Sequence, residues 1–568
     1  MPRRLSFLPT LLFLLAAVPA GASHVVVPDD LPTIQEAIDR LADTVFVKDG
    51  LKPERLTVTK NVVLLPILNC TAGPPACYPL FSSYPPIQSL VVMNPQSSIG
   101  HACCRVRGFR FLGSVSVQQD TGPNTFEACR FDSTASIRPG SPDAPPASIR
   151  GCVFQGHLDV YAIYPQVVGN VFLAGMSLWA DGVHDIRDNI VLGPADVGMD
   201  LDLQESYGPI DGNTIRNCGV GIRVVSGSAG LTNNLVEDCT GDGILIAKRD
   251  VFGIDQVVDW NTIRRCGGAG VVFTPEALGD FKAPLFGECK HNWIEHTGAD
   301  GVRYDGGAWA YPGADSNTIL FAGGNGIQLA SHGVVIGNTI GHCNGDGILH
   351  NGSRWEFDLE GNTSFSNGGA GMRFESSMIW QAPIQRNIAA FNGGPGLSLV
   401  EGRVLLSACN DWFQNQGGNV VGVPPGPNGL SVDPMFCNAA GGDAHLTVGS
   451  PLIDAPGCGQ IGALGVGCGQ NAAVQPIRTL PEVRFGARPV PARGVVQFAI
   501  PPAAQARRVE IYDVTGARRW EGSVPANSSH LEWDGRDSNS RPAAPGVYYG
   551  RLTGGAGPTP VTKIVFEK

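Results

Sequence analysis

Two arginine–carboxylate pairs stand out among the residues that could do chemistry, Arg303 with Asp305 and Arg373 with Glu375. In each pair the residues are two apart, so in an extended strand both side chains point the same way. Asp300, Asn325 and Asp346 each precede a glycine at a matching place in the chain, and Asp242 holds the equivalent place earlier. Carboxylates stacked about 4.8 Å apart would bind Ca2+ or share a proton, which makes Asp300 and Asp346 the candidate metal ligands. The same Asp-Gly and Asn-Gly pairs are also ordinary turn formers. Trp309, Trp355 and Trp380 fall eight, eight and nine residues past Gly301, Gly347 and Gly371, with Tyr311 beside the first. Rings aligned beside a polar groove suit stacking on sugars, and packing under a loop would explain them equally. Tyr304 and His350 occupy places that are otherwise aliphatic. His350 is either a base near Asp346 or a satisfied core histidine.

What makes these places matching is a repeat. Asn213-Thr-Ile-Arg-Asn-Cys218 recurs in variant form from Asn234, Asn261, Asn292, Asn317, Asn338, Asn362 and Asn387. A glycine hub follows each copy, at Gly221, Gly243, Gly270, Gly301, Gly326, Gly347, Gly371 and Gly396, with spacings of 21 to 31 residues. After the hubs the first and third residues are apolar, as in Ile222 and Val224 or Ile327 and Leu329, while the second is mixed, as in Arg223, Arg303 and Arg373. That alternation marks a strand with one buried face. One strand per repeat, and glycine where the backbone turns with positive φ, describe stacked coils of a parallel sheet. Some 13 to 16 coils at about 4.8 Å each predict a rod roughly 60 to 80 Å long. The recurring asparagines read as a ladder of side-chain amides bonding coil to coil. Cys218, Cys239, Cys266 and Cys343, each five residues after its asparagine, read as small buried hydrophobes.

Composition agrees. The chain has 568 residues, 75 of them glycine, and only 16% are charged, which excludes a helical bundle or coiled coil. Net charge is -11, so nucleic acid is excluded as a natural partner. Met1-Pro-Arg-Arg, an apolar stretch from Leu8 to Val18 and Ala20-Gly21-Ala22 form a signal-peptide pattern over residues 1–22, which predicts bacterial export with the mature chain secreted or at the cell surface. No later apolar run is long enough to span a bilayer.

The Asn-x-Ile-x-x-Cys/Asn pattern followed by Gly-Ile resembles the right-handed parallel β-helix superfamily, the pectate-lyase-like fold also found in NosD-like proteins. Val27-Pro-Asp-Asp-Leu-Pro-Thr-Ile-Gln-Glu-Ala-Ile38 resembles the opening of such proteins, where an amphipathic helix, here with Ile34, Ala37, Ile38 and Leu41 on one face, caps the first coil. Asn428 to Phe436 and Gly449 to Ala455 resemble their closing segments. The resemblance implies an all-β solenoid over residues 23–468 and an outward sheet face that binds polysaccharide. Within it, Arg303 or Arg373 with the carboxylates would serve a polysaccharide lyase as base and charge partners, whereas the carboxylate motifs of polygalacturonases and the Asp-Pro-His-Glu of alginate epimerases are missing. The lyase is the alternative; the first reading is binding of polysaccharide or another extended polymer without turnover. Cys70 with Cys77, and Cys458 with Cys468, are expected disulfide pairs.

Residues 469–480 read as a linker. Beyond it, short alternating strands at Val495–Ile500, Arg508–Val514, Leu531–Trp533, Gly546–Leu552 and Lys563–Phe566 predict a small β-sandwich over 481–568. Tyr512-Asp-Val-Thr-Gly-Ala-Arg518 and Ala544-Pro-Gly-Val-Tyr-Tyr549 resemble the FlgD-like immunoglobulin-type domain, close to the sorting domains of the type IX secretion system. That implies a role in export machinery, attachment or spacing.

Overall fold

The computed structural model describes residues 24–566 except 41–42, 49–50, 60, 68–85, 93–103, 118–123, 139–146, 205–206, 249–255, 276, 279–280, 283–285, 307–310, 331–332, 353–356, 376–382, 400–405, 424–425, 470–485, 489–494, 501–506, 514–516, 525–529, 539–540, 544–545 and 555–560. Its main body is a right-handed parallel β-solenoid of about 15 turns. Each regular turn contributes three strands, where the repeat predicts one. In the coil around residue 214 these are Tyr207–Asp211 in a first sheet, Thr214–Arg216 in a second and Val220–Val225 in a third. Every strand pairs in parallel with its counterpart one turn on, as Thr214 to Leu235 and Ile222 to Ile244. The first two strands escaped the pattern because they are short and the second lies inside the Asn-Thr-Ile-Arg motif itself.

Inward positions are uniform along the axis. Ile215, Val236, Ile263, Ile294, Ile319 and Ile340 are fully buried on the second sheet, and Ile222, Ile244, Val271, Val302, Ile327 and Ile348 on the third. Like side chains over like side chains let the core extend in one dimension.

The corners are built by asparagine. From Asn170 through Asn189, Asn213 and onward to Asn387, each backbone N–H and each side-chain amide donates to the Oδ1 of the asparagine one turn on, at 2.9 to 3.0 Å, the last acceptor being Asn410. The second amide hydrogen reaches a carbonyl of the preceding turn, as Asn317 does at Cys289. These groups are buried, so the ladder satisfies donors and acceptors that would otherwise cost about 1–3 kcal/mol each.

The glycine hubs play a different part from the one predicted. None of the eight has positive φ; the left-handed corners instead use residues such as Asn217, Arg265, His296, Phe321 and Phe391, with φ of 53 to 61°. The hubs are glycine because there is no room. A Cβ at any of them would lie 2.7 Å or less from a carbonyl oxygen of the next turn, and at Gly301 it would also lie 2.3 Å from Ile319 Cγ2.

One outward row of the second sheet changes character along the rod. Arg216, Glu237, Arg264 and Glu295 are paired in register, and the row continues as Leu320, Gly341, Phe365 and Ala390. Over this apolar half lies a strap from the end of the solenoid: Ala444 packs with Leu320 and Phe365, and Leu446, Leu452 and Ile461 with Ile388 and Ala390. His342 Nε2 sits 2.7 Å from the Ala439 carbonyl oxygen. Two disulfides hold the strap, Cys409–Cys458 and Cys437–Cys468. This corrects the expected Cys458–Cys468 pair: the strap folds back, so each closing cysteine meets an earlier partner. Cys70 and Cys77 lie outside the described residues. The remaining described cysteines are buried thiols, and burial pushes those of Cys218 and Cys343 up to about 12.

Under the strap Asp411 is fully buried, with Oδ1 accepting from the Val432 N–H at 2.9 Å. Burial raises its pKa to about 7, and the charge of Asp433 adds to the rise. An unfolded aspartate titrates near ~3.9, so the folded state holds an extra proton between those values. The associated stability is complete below about pH 4 and lost as pH rises through 7. Asp411→Asn is therefore expected to flatten the pH dependence between 4 and 7 and to make the protein more stable than its parent at pH 8. Denaturant midpoints at pH 5 and 8 check this, and parallel curves for the two proteins would sink it.

Near the start, Ile34–Asp39 forms a helix with Thr33 at its N-cap and Ile34, Ala37 and Ile38 buried; Leu41 lies outside the described residues. Beyond residue 485 the chain forms two antiparallel sheets, one of Gly486–Arg488, Val496–Ala499 and His530–Trp533, the other of Arg507–Asp513, Arg518–Val524, Gly546–Thr553 and Val561–Phe566. Phe498 and Trp533 from the first share one core with Val509, Ile511, Tyr548 and Phe566 from the second. Gly486–Arg488 and Arg518–Val524 are strands the sequence pattern had not marked.

Candidate functional site

The third sheet turns alternate residues outward, and the predicted residues fall there. Arg303 is paired with Gln328, Gln328 with Leu349, and Leu349 with Arg373. Arg303 Nε lies 3.2 Å from Asp305 Oδ1. Arg373 Nε lies 3.1 Å from Asp346 Oδ2, and Arg373 also reaches Glu375 at 3.7 Å. The two arginines share a face but stand three turns apart, about 14 Å at the strand spacing. All four predicted side chains thus line one strip as two separate ion-paired groups.

Asp300, Asn325 and Asp346 form a second ladder at the edge of this strip. Asp300 Oδ1 accepts from the backbone and side-chain amides of Asn325, Asn325 Oδ1 from the Asp346 N–H, and Asp346 Oδ1 from the Ala370 N–H at 2.6 Å. Asp242 does the same for Ala269. Asp300 and Asp346 are two turns apart, with an amide between them, so they do not face one another across a cation. Among the described residues no group of three or more His, Cys, Asp or Glu is gathered to hold a metal. Burial raises the pKa of Asp346, against the opposing pull of the Ala370 N–H and Arg373.

His350 and Tyr304 face the core. His350 is fully buried, edge-on to Phe357 at 5.0 Å, on the opposite side of the sheet from Arg373 and hence no surface base. Tyr304 stacks on Phe273 and its hydroxyl donates to the Gly313 carbonyl at 2.8 Å. Trp309, Trp355 and Trp380 lie outside the described residues, and Tyr311 begins a strand of the first sheet, Tyr311–Asp315.

The same outward face carries a second polar stretch, on turns before the Asn213 repeat. Leu158–Ile163, Met176–Asp181 and Val197–Asp202 are paired in register, with Asp159, Ser177 and Asp200 in one outward row and Tyr161, Trp179 and Asp202 in the next. The rings of Tyr161 and Trp179 stack at 3.9 Å between centroids with planes 6° apart. Arg138 pairs with Asp159 at 2.6 Å, and Arg223 with Asp200 at 3.6 Å. Between the two stretches Val225, Ala247 and Val272 are buried. A signal was present: Leu-Asp-Val-Tyr-Ala-Ile and Met-Ser-Leu-Trp-Ala-Asp alternate identically, each with an aromatic in fourth place. Gly175 and Gly198 stand at the hub place of the second and third of these turns, but Asn170-Val-Phe-Leu-Ala-Gly175 and Asn189-Ile-Val-Leu-Gly-Pro194 depart from the Asn-x-Ile-x-x-Cys/Asn form that marks the repeat.

With this geometry stands one family match. Residues 147–308 match the model of the right handed beta helix region. No curated protein matches the chain. Among solved structures, the periplasmic alginate epimerase AlgG is 10% identical over 72% of this chain and 83% of its own, with a TM-score of 0.25. The A-module of the Azotobacter vinelandii mannuronan C-5 epimerase AlgE6 is 13% identical over 71% and 94%, TM-score 0.25. The catalytic domain of a GH87 α-1,3-glucanase in complex with nigerose is 16% identical over 72% and 70%, TM-score 0.20.

Proposed function

We propose that this chain is an exported β-helix protein that binds polysaccharide or another extended polymer along the outward face of its third sheet, without turning it over. The observation that carries this reading is the strip itself: Arg303 with Asp305 and Arg373 with Asp346 and Glu375, in register on one face and about 14 Å apart. Groups spaced in this way touch an extended ligand at several points. A lyase site would instead bring base and charge partner to one reacting carbon, within about 3–3.5 Å. Trp309, Tyr311, Trp355 and Trp380 belong to this reading as sugar-stacking residues.

In the same reading residues 1–22 direct export, the helix at 34–39 caps the first turn, and residues 481–568 form an FlgD-like immunoglobulin-type domain for export, attachment or spacing. Two disulfides near the end of the solenoid support an oxidising compartment. The shared core of the two C-terminal sheets supports a separate small domain. The test is a screen of the purified chain against neutral and uronate-containing polysaccharides, with and without calcium. Retention on at least one polymer with no unsaturated product is the expected result. Accumulation of unsaturated product would replace binding by lyase activity, and no retention on any polymer would end the reading.

A further inference from the structure

The Tyr161–Trp179 stack sits in an acidic setting. Outward on the three turns that carry it and their neighbours are Asp159, Asp181, Asp200 and Asp202, against Arg138 and Arg223, and both arginines are engaged by Asp159 and Asp200. Trp179 is in register with Asp202, so beyond its outer face, one turn on, stands a carboxylate that also accepts from Gln204 at 2.7 Å. At the corner where this sheet ends, Tyr164 and Val183 are both 42% exposed and Tyr207 is 61% exposed, and Val183 pairs with Tyr207. The Tyr164 ring lies directly over Gly182, where a Cβ would be 2.4 Å from Cε1. Four aromatic rings therefore gather on adjacent turns. Two are held against each other and a third is bedded on backbone, so little side-chain freedom remains to be lost on binding.

We infer that the Tyr161, Trp179, Tyr164 and Tyr207 surface is a binding site for an uncharged glycan chain, with sugar faces lying on the rings and sugar hydroxyls donating to Asp200 and Asp202. The aromatic faces supply the apolar stacking surface and the carboxylates accept hydrogen bonds from hydroxyl pairs. Four aspartates to two arginines make the surface net negative, which repels a polyuronate and leaves a neutral polymer favoured. This inference rests on the polysaccharide-binding reading and narrows it to a class of polymer and a place on the rod.

Affinity electrophoresis of the full chain through gels containing dextran, hydroxyethyl cellulose, polygalacturonate or chitosan tests it. Retardation by at least one neutral polymer, little changed by salt, with none by polygalacturonate, is expected. Trp179→Ala and Tyr161→Ala should each weaken that retardation by about tenfold or more, while Arg187→Ala, on the first sheet, leaves it as in the parent. Circular dichroism and thermal melts establish that the variants fold. If Trp179→Ala does not fold, Asp202→Ala carries the test in its place. Unchanged retention in a folded Trp179→Ala or Asp202→Ala variant overturns the inference and leaves the general reading standing. Tighter binding of polygalacturonate or chitosan than of either neutral polymer also overturns it. No retention on any polymer removes both.

Discussion

Replacing Glu237 with glutamine is expected to cost about 3–5 kcal/mol of stability, the penalty for leaving buried charges without a partner. The Glu237 side chain is 1% exposed and is paired with Arg216 and Arg264 on the turns to either side, and with Arg265 at the adjoining corner. Arg216 and Arg264 are themselves only 13% and 10% exposed. Without the carboxylate these two guanidinium groups face each other across one turn, each largely out of water. Arg265 is less affected, since it is half exposed and keeps Asp238 at 2.6 Å. Because the ion pairs are buried, added salt restores little of the loss. Denaturant midpoints and limited proteolysis near residues 216–265 measure the effect, and a variant within about 1 kcal/mol of its parent would show that the arginines find other partners or water. In a solenoid each turn contacts only its neighbours, so a weak turn in the middle divides the array into two. The loss should therefore show first as cleavage near the substituted turn, ahead of global unfolding.

The arginine–glutamate row also shows why part of this structure could be read from sequence and part could not. Periodicity revealed the third sheet because its inward residues repeat with one chemistry, Ile222 to Ile348, and because inward and outward residues alternate without fail. It also placed Arg303, Gln328, Leu349 and Arg373 on one face, as the strand register has them. What it could not give was which groups pair: Arg373 reaches back one turn to Asp346 at 3.1 Å while Arg303 keeps to Asp305 on its own strand, a difference set by side-chain conformation and not by register. The strap was hidden for a related reason. Leu320 and Phe365 sit where Glu237 and Glu295 sit in other turns, and only the folded-back segment at 436–461 makes apolar residues acceptable there. Tyr161 and Trp179 are hidden because the asparagine motif of the early turns departs from the Asn-x-Ile-x-x-Cys/Asn form, with Gly175 and Pro194 where the later copies have cysteine or asparagine.

The hubs themselves yield the sharpest contrast between two roles for glycine. At Gly301 the backbone is one any residue adopts, but a Cβ would lie 2.3 Å from Ile319 Cγ2 and 2.7 Å from the Gly326 carbonyl oxygen. Neither neighbour can retreat, since Ile319 is locked in the core stack and the Gly326 carbonyl accepts from Val302 in the next-turn ladder. Gly301→Ala is expected to cost about 3 kcal/mol, at the upper end for overpacking. At Gly337 the reverse holds: φ is +64°, and a Cβ would meet nothing nearer than the Ser316 hydroxyl at 3.2 Å. Other turns place Asn233, His291, Ser316 and Arg386 at this corner with φ of 50 to 54°. Gly337→Asn should therefore cost less than about 1 kcal/mol, asparagine being among the residues that enter the left-handed region most readily. Paired denaturation of the two variants decides between the roles. If Gly337→Asn proves the more damaging, turning the chain is what glycine contributes to this repeat; if Gly301→Ala does, the hub exists because two sheets meet there too closely for any side chain.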